Sequence, residues 1–149
     1  MKFGHENLTN VKDEILPLLD DHWEEIALNK DVIKLNPDWE AYAAYDSINA
    51  LRVYTARDEG KLVGYFVVLV TRSLHYKDHL FAINDIIFLK KEVRLGMTGV
   101  KLIKYAVKCL EEEGVSKIMI NTKIHQPFDA VLERLNFKCI ERVYSKCLR

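Results

Sequence analysis

The sequence predicts a single α/β domain in which helices flank a mixed, mostly antiparallel β-sheet. Three observations favour this fold class. The chain up to Ile48 has helical periodicity, three consecutive strand patterns follow as far as Leu89, and the remainder alternates between helical and strand patterns. The predicted order of elements is therefore ααβββαβαβ, with the helices packed on a central sheet.

The N-terminal region is predicted to contain two helices, preceded by a weak candidate strand at residues 2–6. Asn10 is a suitable N-cap for the first helix, whose apolar residues recur at the helical period as far as Ile26. Because Pro17 falls inside this segment, we expect the helix to bend there or to begin later. The second helix is predicted over residues 39–48.

Three strands are predicted next, over residues 51–57, Lys61–Arg72 and Leu80–Leu89. All three are rich in β-branched and aromatic residues, which favour strands. An Asp-Glu-Gly turn joins the first two, and a polar loop containing His75 precedes the third. Strands that follow one another through short connections pair in opposite directions, so we expect an antiparallel meander.

The second half of the chain alternates helices and strands. An amphipathic helix is predicted over residues 98–113, and Gly114 is placed to end it in the left-handed conformation. A strand over residues 115–123, a short helix over residues 127–136 and a final strand over residues 137–148 complete the predicted fold.

Length and composition limit the possible functions. The chain has 149 residues, which suits one domain over residues 1–149. Lys+Arg and Asp+Glu are both 22, so no broad basic surface for nucleic acid is predicted. The three cysteines have neither CxxC nor other metal-ligand spacing, and no apolar segment is long enough to span a bilayer. We therefore expect a cytoplasmic protein without a metal site or a membrane partner.

The segment between the third strand and the amphipathic helix is a candidate site for a nucleotide diphosphate. It consists of Arg94, Leu95, Gly96, Met97, Thr98 and Gly99. A helix N-terminus offers unpaired N–H groups and a partial positive charge, and glycines allow close approach of the backbone to phosphate. The alternative is an ordinary strand–turn–helix connection. Neither the dinucleotide-binding fingerprint nor the P-loop ending is present.

Three motifs, in order along residues 51–148, resemble those of the GNAT superfamily of acetyl-CoA-dependent N-acetyltransferases. The family pattern Arg/Gln-x-x-Gly-x-Gly/Ala is matched at Arg94 and Gly99, whereas Met97 replaces the middle glycine and Gly96 stands one place earlier. The segment DEGKLVG from Asp58 is similar to a family strand–turn–strand motif, and LERLNF is similar to one near the C-terminus. Residues 19–26 and 74–76 also resemble the small branch of this family that tailed phages encode.

The resemblance implies that coenzyme A, as acetyl-CoA, is the cofactor. Phe88 and Leu89 occupy the positions whose backbone pairs with the pantetheine arm, and the amides from Leu95 to Gly99 would hold the diphosphate. His125 stands where the family usually has asparagine, and Phe128 where it has a small residue lining the cofactor. His125 is either a donor to the cofactor or an exposed loop histidine.

Catalytic candidates are fewer. Asp85 is the candidate general base, because a carboxylate within an apolar strand must be paired, hydrated or functional, and it is expected to share a face with Ile87 and Leu89. The alternative is a structural carboxylate. Leu132 replaces the family's tyrosine, so Tyr144 is the candidate substitute acid. His75 lies on a loop that can overhang the acceptor.

The sequence therefore predicts an N-acetyltransferase that moves acetyl from acetyl-CoA to a primary amine of a small molecule or protein. The alternative is a catalytically weak or inactive GNAT-fold binding module that docks on a protein partner, which the changes at Met97 and Leu132 favour. A homodimer is possible through the apolar residues Ile140, Val143 and Leu148 of the final strand.

Overall fold

A five-stranded sheet with the strand order β1-β2-β3-β4-β5 forms the centre of the protein. The computed structural model describes all residues from Met1 to Arg149. The elements are β1 (Lys2–Glu6), α1 (Leu8–Ile26), α2 (Trp39–Ser47), β2 (Leu51–Asp58), β3 (Lys61–Arg72), β4 (Leu80–Leu89), a 3-10 turn (Lys91–Val93), α3 (Thr98–Glu112), β5 (Lys117–Met119) and α4 (Asp129–Arg134). Strands β1 to β4 are antiparallel, and β5 runs parallel to β4. The predicted fold class is thus confirmed.

The first helix begins earlier than predicted. Its N-cap is Asn7, so the assignment of Asn10 as the cap was wrong. Burial of Leu8, which is 6% exposed, places the start of the helix directly after β1. Pro17 lies inside α1 and removes one backbone donor, yet the helix continues because its buried face packs on the sheet. None of the helices is both long enough and apolar enough to cross a membrane.

Both faces of the sheet are covered. Val53, Tyr65 and Val67 belong to the core under α1 and α2. Their neighbours along the strands face the other way and form the core under α3. This double burial explains why β3 is a nearly continuous apolar run rather than an alternating one.

Strands β3 and β4 approach closely at Gly64. A Cβ atom at this position would collide with the side chain of Leu89 and lie 2.8 Å from the carbonyl oxygen of Phe88. Only glycine fits at this position, because β4 occupies the volume that a side chain would need.

The C-terminal region differs most from the prediction. Strand β5 is only three residues long, α4 is confined to Asp129–Arg134, and the predicted strand over residues 137–148 does not form. A three-residue edge offers too short a template for a long neighbouring strand. Ile140 and Val143 of this C-terminal segment are 65% and 79% exposed. The homodimer through these residues stays a prediction.

Candidate active site

Strand β4 contains a β-bulge at Asp85. Val67 of β3 pairs with Ile86, and Val68 pairs with Asn84, so Asp85 has no partner in the ladder. An extra residue in one strand bends that strand and redirects a side chain. The bulge therefore changes the side of the sheet to which the residues of β4 point.

This change corrects the prediction that Asp85 shares a face with Ile87 and Leu89. Ile87 and Leu89 pack in the core under α3, whereas Ile86 and Phe88 pack in the core under α1 and α2. Asp85 reaches α2, on the side of Ile86. In a regular strand, side chains alternate between the two faces of the sheet. The extra residue at the bulge shifts this alternation by one position, so the prediction from spacing fails here.

The carboxylate of Asp85 is held by a tyrosine that the sequence analysis did not select. The hydroxyl of Tyr42 on α2 donates a hydrogen bond to Oδ2 of Asp85. Burial of the phenol, reinforced by this bond, raises the pKa of Tyr42 above its ordinary value, so the phenol keeps its proton and remains a donor. Asp85 is itself solvent-exposed, so its carboxylate is within reach of a bound molecule.

Strands β4 and β5 separate immediately before the bulge. Their parallel pairing ends at Ile83 and Met119, after which the N–H of Asn121 donates to Oδ1 of Asn84 at 2.7 Å. Beyond this point no strand covers the β5 side of β4 as far as Leu89, whose carbonyl accepts a hydrogen bond from Arg94. An extended chain can add to such an edge through main-chain hydrogen bonds.

The far end of this opening is formed by the start of α3. Gly96 has φ of 87°, a conformation that favours glycine. The N–H groups of residues 95–100 have no hydrogen-bond acceptor within the protein, and no side chain caps the helix at Met97. These unpaired donors lie at the positive end of a 15-residue helix, and such helix ends bind phosphate.

Arg94 links this loop to α1. Its Nη2 atom lies 2.9 and 2.8 Å from the two carboxylate oxygens of Glu25, and its Nε donates to the carbonyl of Leu89 at 2.7 Å. The guanidinium also lies over the ring of Phe88, with Cζ 5.4 Å from the ring centroid. Arg94 therefore fixes the position of the loop relative to α1, and a direct phosphate contact by Arg94 stays a prediction.

Below Arg94 lies a buried cluster of aromatic rings. Phe88 is 5% exposed and stacks on His22, with ring centroids 5.1 Å apart. Nδ1 of His22 lies 3.0 Å from the hydroxyl of Tyr65. Burial lowers the pKa of His22 to about 4, although the nearby carboxylate of Glu25 acts in the opposite direction. His22 is therefore neutral in the folded protein at neutral pH.

A second arginine approaches the same loop from α4. Nη1 of Arg134 lies 3.1 Å from Sδ of Met97, and the Arg134 side chain is otherwise exposed. It lies in the LERLNF segment that carried the family resemblance, but nothing in the sequence indicates that this residue reaches the loop. The guanidinium of Arg134 carries a positive charge that can add to the attraction of the loop amides for an anion.

The other predicted site residues are placed as follows. Nε2 of His125 lies 3.1 Å from the carbonyl of Ile26 at the end of α1. Phe128 is half-buried at the start of α4, and Leu132 is a core residue at 8% exposure. His125 thus lies in the loop that follows β5, and Phe128 lies at the end of that loop. Contact of either residue with a cofactor stays a prediction.

Two catalytic candidates are not brought to Asp85. His75 is exposed in the β3–β4 loop, five or more residues of strand away from the bulge and at the opposite end of β4 from the phosphate loop. The ten residues of β4 span about 30 Å, which separates His75 from the phosphate loop. Tyr144 is 87% exposed in the C-terminal segment and has no hydrogen bond or ring contact. Of the three catalytic candidates, only Asp85 makes a side-chain hydrogen bond, which it accepts from Tyr42.

Comparison with known proteins identifies the fold. The sequence matches no protein-family model and no curated protein. An aminoglycoside acetyltransferase from an uncultured soil metagenomic sample, solved with sisomicin, superposes with a TM-score of 0.72 at 15% identity, over 98% of this chain and 95% of that one. A ribosomal-protein-alanine N-acetyltransferase from Brucella melitensis biovar Abortus 2308 has a TM-score of 0.70 at 19% identity, over 100% and 99%. A protein from Clostridium acetobutylicum, described as a predicted acetyltransferase and solved with acetyl-CoA, has a TM-score of 0.72 at 10% identity, over 99% and 96%.

Proposed function

We propose that this chain, which has the fold of the GNAT acetyltransferases, is an acetyl-CoA-dependent N-acetyltransferase that acts on a primary amine. One observation carries the proposal: the opening beside β4 has an exposed carboxylate, Asp85, at one end and the unpaired amides of residues 95–100 at the other. The similar structures support it, since two of them are named as acetyltransferases of amine-bearing molecules and a third was solved with acetyl-CoA.

The opening fits coenzyme A on the chemistry of its donors. The amides of residues 95–100 would hold the diphosphate, because they lie at the start of α3 and have no acceptor in the protein. Arg134 would add a cation beside Met97. The open edge of β4, between Asp85 and Leu89, would pair with the amide groups of the pantetheine arm as a further strand does.

When bound, acetyl-CoA supplies an acetyl group already activated as a thioester. The protein must then align an amine with this group and remove a proton from it. In the balanced reaction a carbon–nitrogen bond forms, the carbon–sulfur bond breaks, the sulfur takes up a proton, and the acceptor becomes an amide. No metal or redox partner is needed for this balance.

Asp85 is the residue to which we assign proton removal. One carboxylate oxygen accepts the hydrogen bond of Tyr42, which fixes the orientation of the group. The other oxygen is left to accept a proton from the amine, directly or through one water molecule. The bulge places this carboxylate where β4 and β5 part, next to the edge that would hold the thioester.

A thiol-release assay tests this proposal. The protein is incubated with acetyl-CoA and a mixture of primary amines, and free coenzyme A and acetylated amines are measured, with the Asp85→Asn variant as the control. We expect amine-dependent thiol release by the natural sequence and a large loss in the variant. Binding of acetyl-CoA without transfer to any amine would overturn the enzymatic proposal in favour of the GNAT-fold binding module.

A further inference from the structure

A cavity of about 420 Å³ lies between α1, the connection over residues 27–38, α2 and the sheet. Its wall is mostly apolar, and the sheet contributes Val67 and Ile86 to it. No aspartate or glutamate lines the cavity, and its only charged residues are Lys34 and Lys123. A cavity of this size and lining suits a small apolar group.

Aromatic side chains form much of the wall. The chain has two tryptophans, and both Trp23 of α1 and Trp39 of α2 line the cavity together with Tyr42. The rings of Trp39 and Tyr42 are 5.6 Å apart and tilted by 39°. Flat aromatic walls of this kind bury a large apolar area of a ligand at little cost in side-chain entropy.

The connection over residues 27–38 leaves large apolar side chains in contact with water. Leu28 is 57% exposed, Ile33 is 54% exposed and Leu35 is 39% exposed, and all three line the cavity. Contiguous exposed apolar surface around a concave site is typical of a binding site rather than of an inert surface.

The cavity adjoins the candidate base. Tyr42 lines the cavity and also donates to Asp85, and Ile86, the next residue along β4, forms part of the wall. Because Asp85 and Ile86 both face the α2 side of the sheet, a group held in the cavity would lie next to the carboxylate, which borders the cavity through Tyr42. An amine attached to that group would be presented to Asp85.

From this arrangement we infer that the acceptor is a primary amine carried on an apolar aryl or branched-alkyl body, with the body bound between Trp23, Trp39 and Ile86. This inference rests on the proposed function and names its substrate class. The same lining disfavours polycations, since it offers no carboxylate of its own and brings two lysines near the ligand. The acceptor therefore differs in chemistry from the aminoglycoside bound to the metagenomic acetyltransferase.

Tryptophan fluorescence provides a direct test, because both tryptophans of the chain line the cavity. Phenethylamine and isopentylamine are titrated into the protein, with ethanolamine, spermidine and sisomicin as polar comparisons. A short peptide that begins with phenylalanine is also titrated. Its binding shows whether the acceptor is the N-terminal amine of a polypeptide or a small free amine. We expect saturable changes with the apolar amines, at concentrations at least about tenfold below those of the polar ones.

Two variants locate the binding. Ile33→Asn introduces a neutral polar group into the apolar wall at a side chain that is already half-exposed, so the fold is retained. It should weaken phenethylamine binding by about fivefold or more. Ile48→Asn is the matched control, because Ile48 is 72% exposed and does not line this cavity. Its titration should equal that of the natural sequence.

Failure of this inference can be told apart from failure of the proposed function. Acetyl transfer to spermidine or sisomicin with no fluorescence response to apolar amines would overturn the substrate class and leave the enzyme proposal standing. A saturable response to phenethylamine without acetyl-CoA binding would overturn the enzyme proposal and leave the cavity standing as a site for apolar amines. Equal responses of the Ile33→Asn and Ile48→Asn variants would place binding outside the cavity and overturn the inference.

Discussion

Tyr42 of α2 donates a hydrogen bond to Asp85, the bulge residue of β4, across 43 positions of the chain. This contact ties the second helix to the point where β4 and β5 separate. It also holds an exposed carboxylate at that point, with one oxygen bonded to Tyr42 and the other without a hydrogen-bond partner in the protein. The proposed chemistry depends on this relationship, because no other carboxylate lies on the open part of β4.

The Asp85→Asn variant should lose turnover while keeping its cofactor. A general base contributes about 10²–10⁴ to rate, so we expect kcat to fall by at least about a hundredfold. The diphosphate loop lies at the other end of the opening, and the affinity for acetyl-CoA should stay nearly unchanged. Steady-state kinetics and calorimetry check the two expectations. Equal turnover by natural and variant proteins would show that Asp85 is structural.

Gly96→Ala should weaken the binding of acetyl-CoA. Gly96 has φ of 87°, and an alanine there costs about 1–2 kcal/mol or forces the loop out of the conformation that aligns its amides. The loss of affinity should be about 5- to 30-fold. Gly114→Ala is the matched control, since Gly114 has a similar φ of 82° and open space around an added Cβ, but lies at the other end of α3. Similar affinities of the two variants would contradict the assignment of the loop.

Gly64→Ala should destabilise the fold. The added Cβ would collide with Leu89 and crowd the carbonyl of Phe88, and overpacking of this kind costs about 1–3 kcal/mol. Gly4→Ala serves for comparison, because its Cβ would meet only Oγ1 of Thr55 at 3.6 Å. Thermal unfolding should give a Tm several degrees lower for Gly64→Ala than for Gly4→Ala. A smaller loss at Gly64 than at Gly4 would contradict the packing described.

Acidification should destabilise the protein through His22. Burial lowers its pKa to about 4 in the folded state, whereas the unfolded chain binds this proton near pH 6.5. The unfolded state therefore gains protons first as the pH falls, and stability is lost between about pH 6.5 and pH 4, by up to about 3 kcal/mol. The loss is complete below both pKa values, and above pH 6.5 His22 has no effect on the pH dependence.

Denaturant unfolding at several pH values tests this assignment. Replacing His22 by phenylalanine, which keeps an aromatic ring against Phe88, should flatten the dependence of stability on pH in that window. His75→Gln, which alters an exposed loop histidine, should leave the dependence as it is. An unchanged slope in the His22→Phe variant would assign the acid sensitivity to another group.

Local patterns predicted much of the fold. The bounds of β3 and β4 agree with those predicted, and α3 ends one residue earlier, because continuous apolar runs and a strong helical period specify these elements without tertiary information. Local patterns were not sufficient for the final strand, which was predicted over residues 137–148 and does not form. Its residues have strand-forming character, but a strand also needs a neighbouring edge, and β5 supplies only three residues.

The candidate site was only partly predictable for a related reason. The glycine-containing loop and Asp85 stand out within their own segments. The face of Asp85 depends on a bulge, which is a property of the register between two strands. The contacts of Tyr42 with Asp85 and of Arg94 with Glu25 join residues 43 and 69 positions apart, and no local pattern encodes them.

The most direct test of the central claim is calorimetric titration of the purified protein with acetyl-CoA, with adenosine diphosphate as the comparison. We expect micromolar binding of one acetyl-CoA per chain, and much weaker binding of the nucleotide, which lacks the pantetheine arm that would pair with β4. No heat of binding with acetyl-CoA, from a protein shown to be folded, would contradict the assignment of the opening beside β4 as a coenzyme A site.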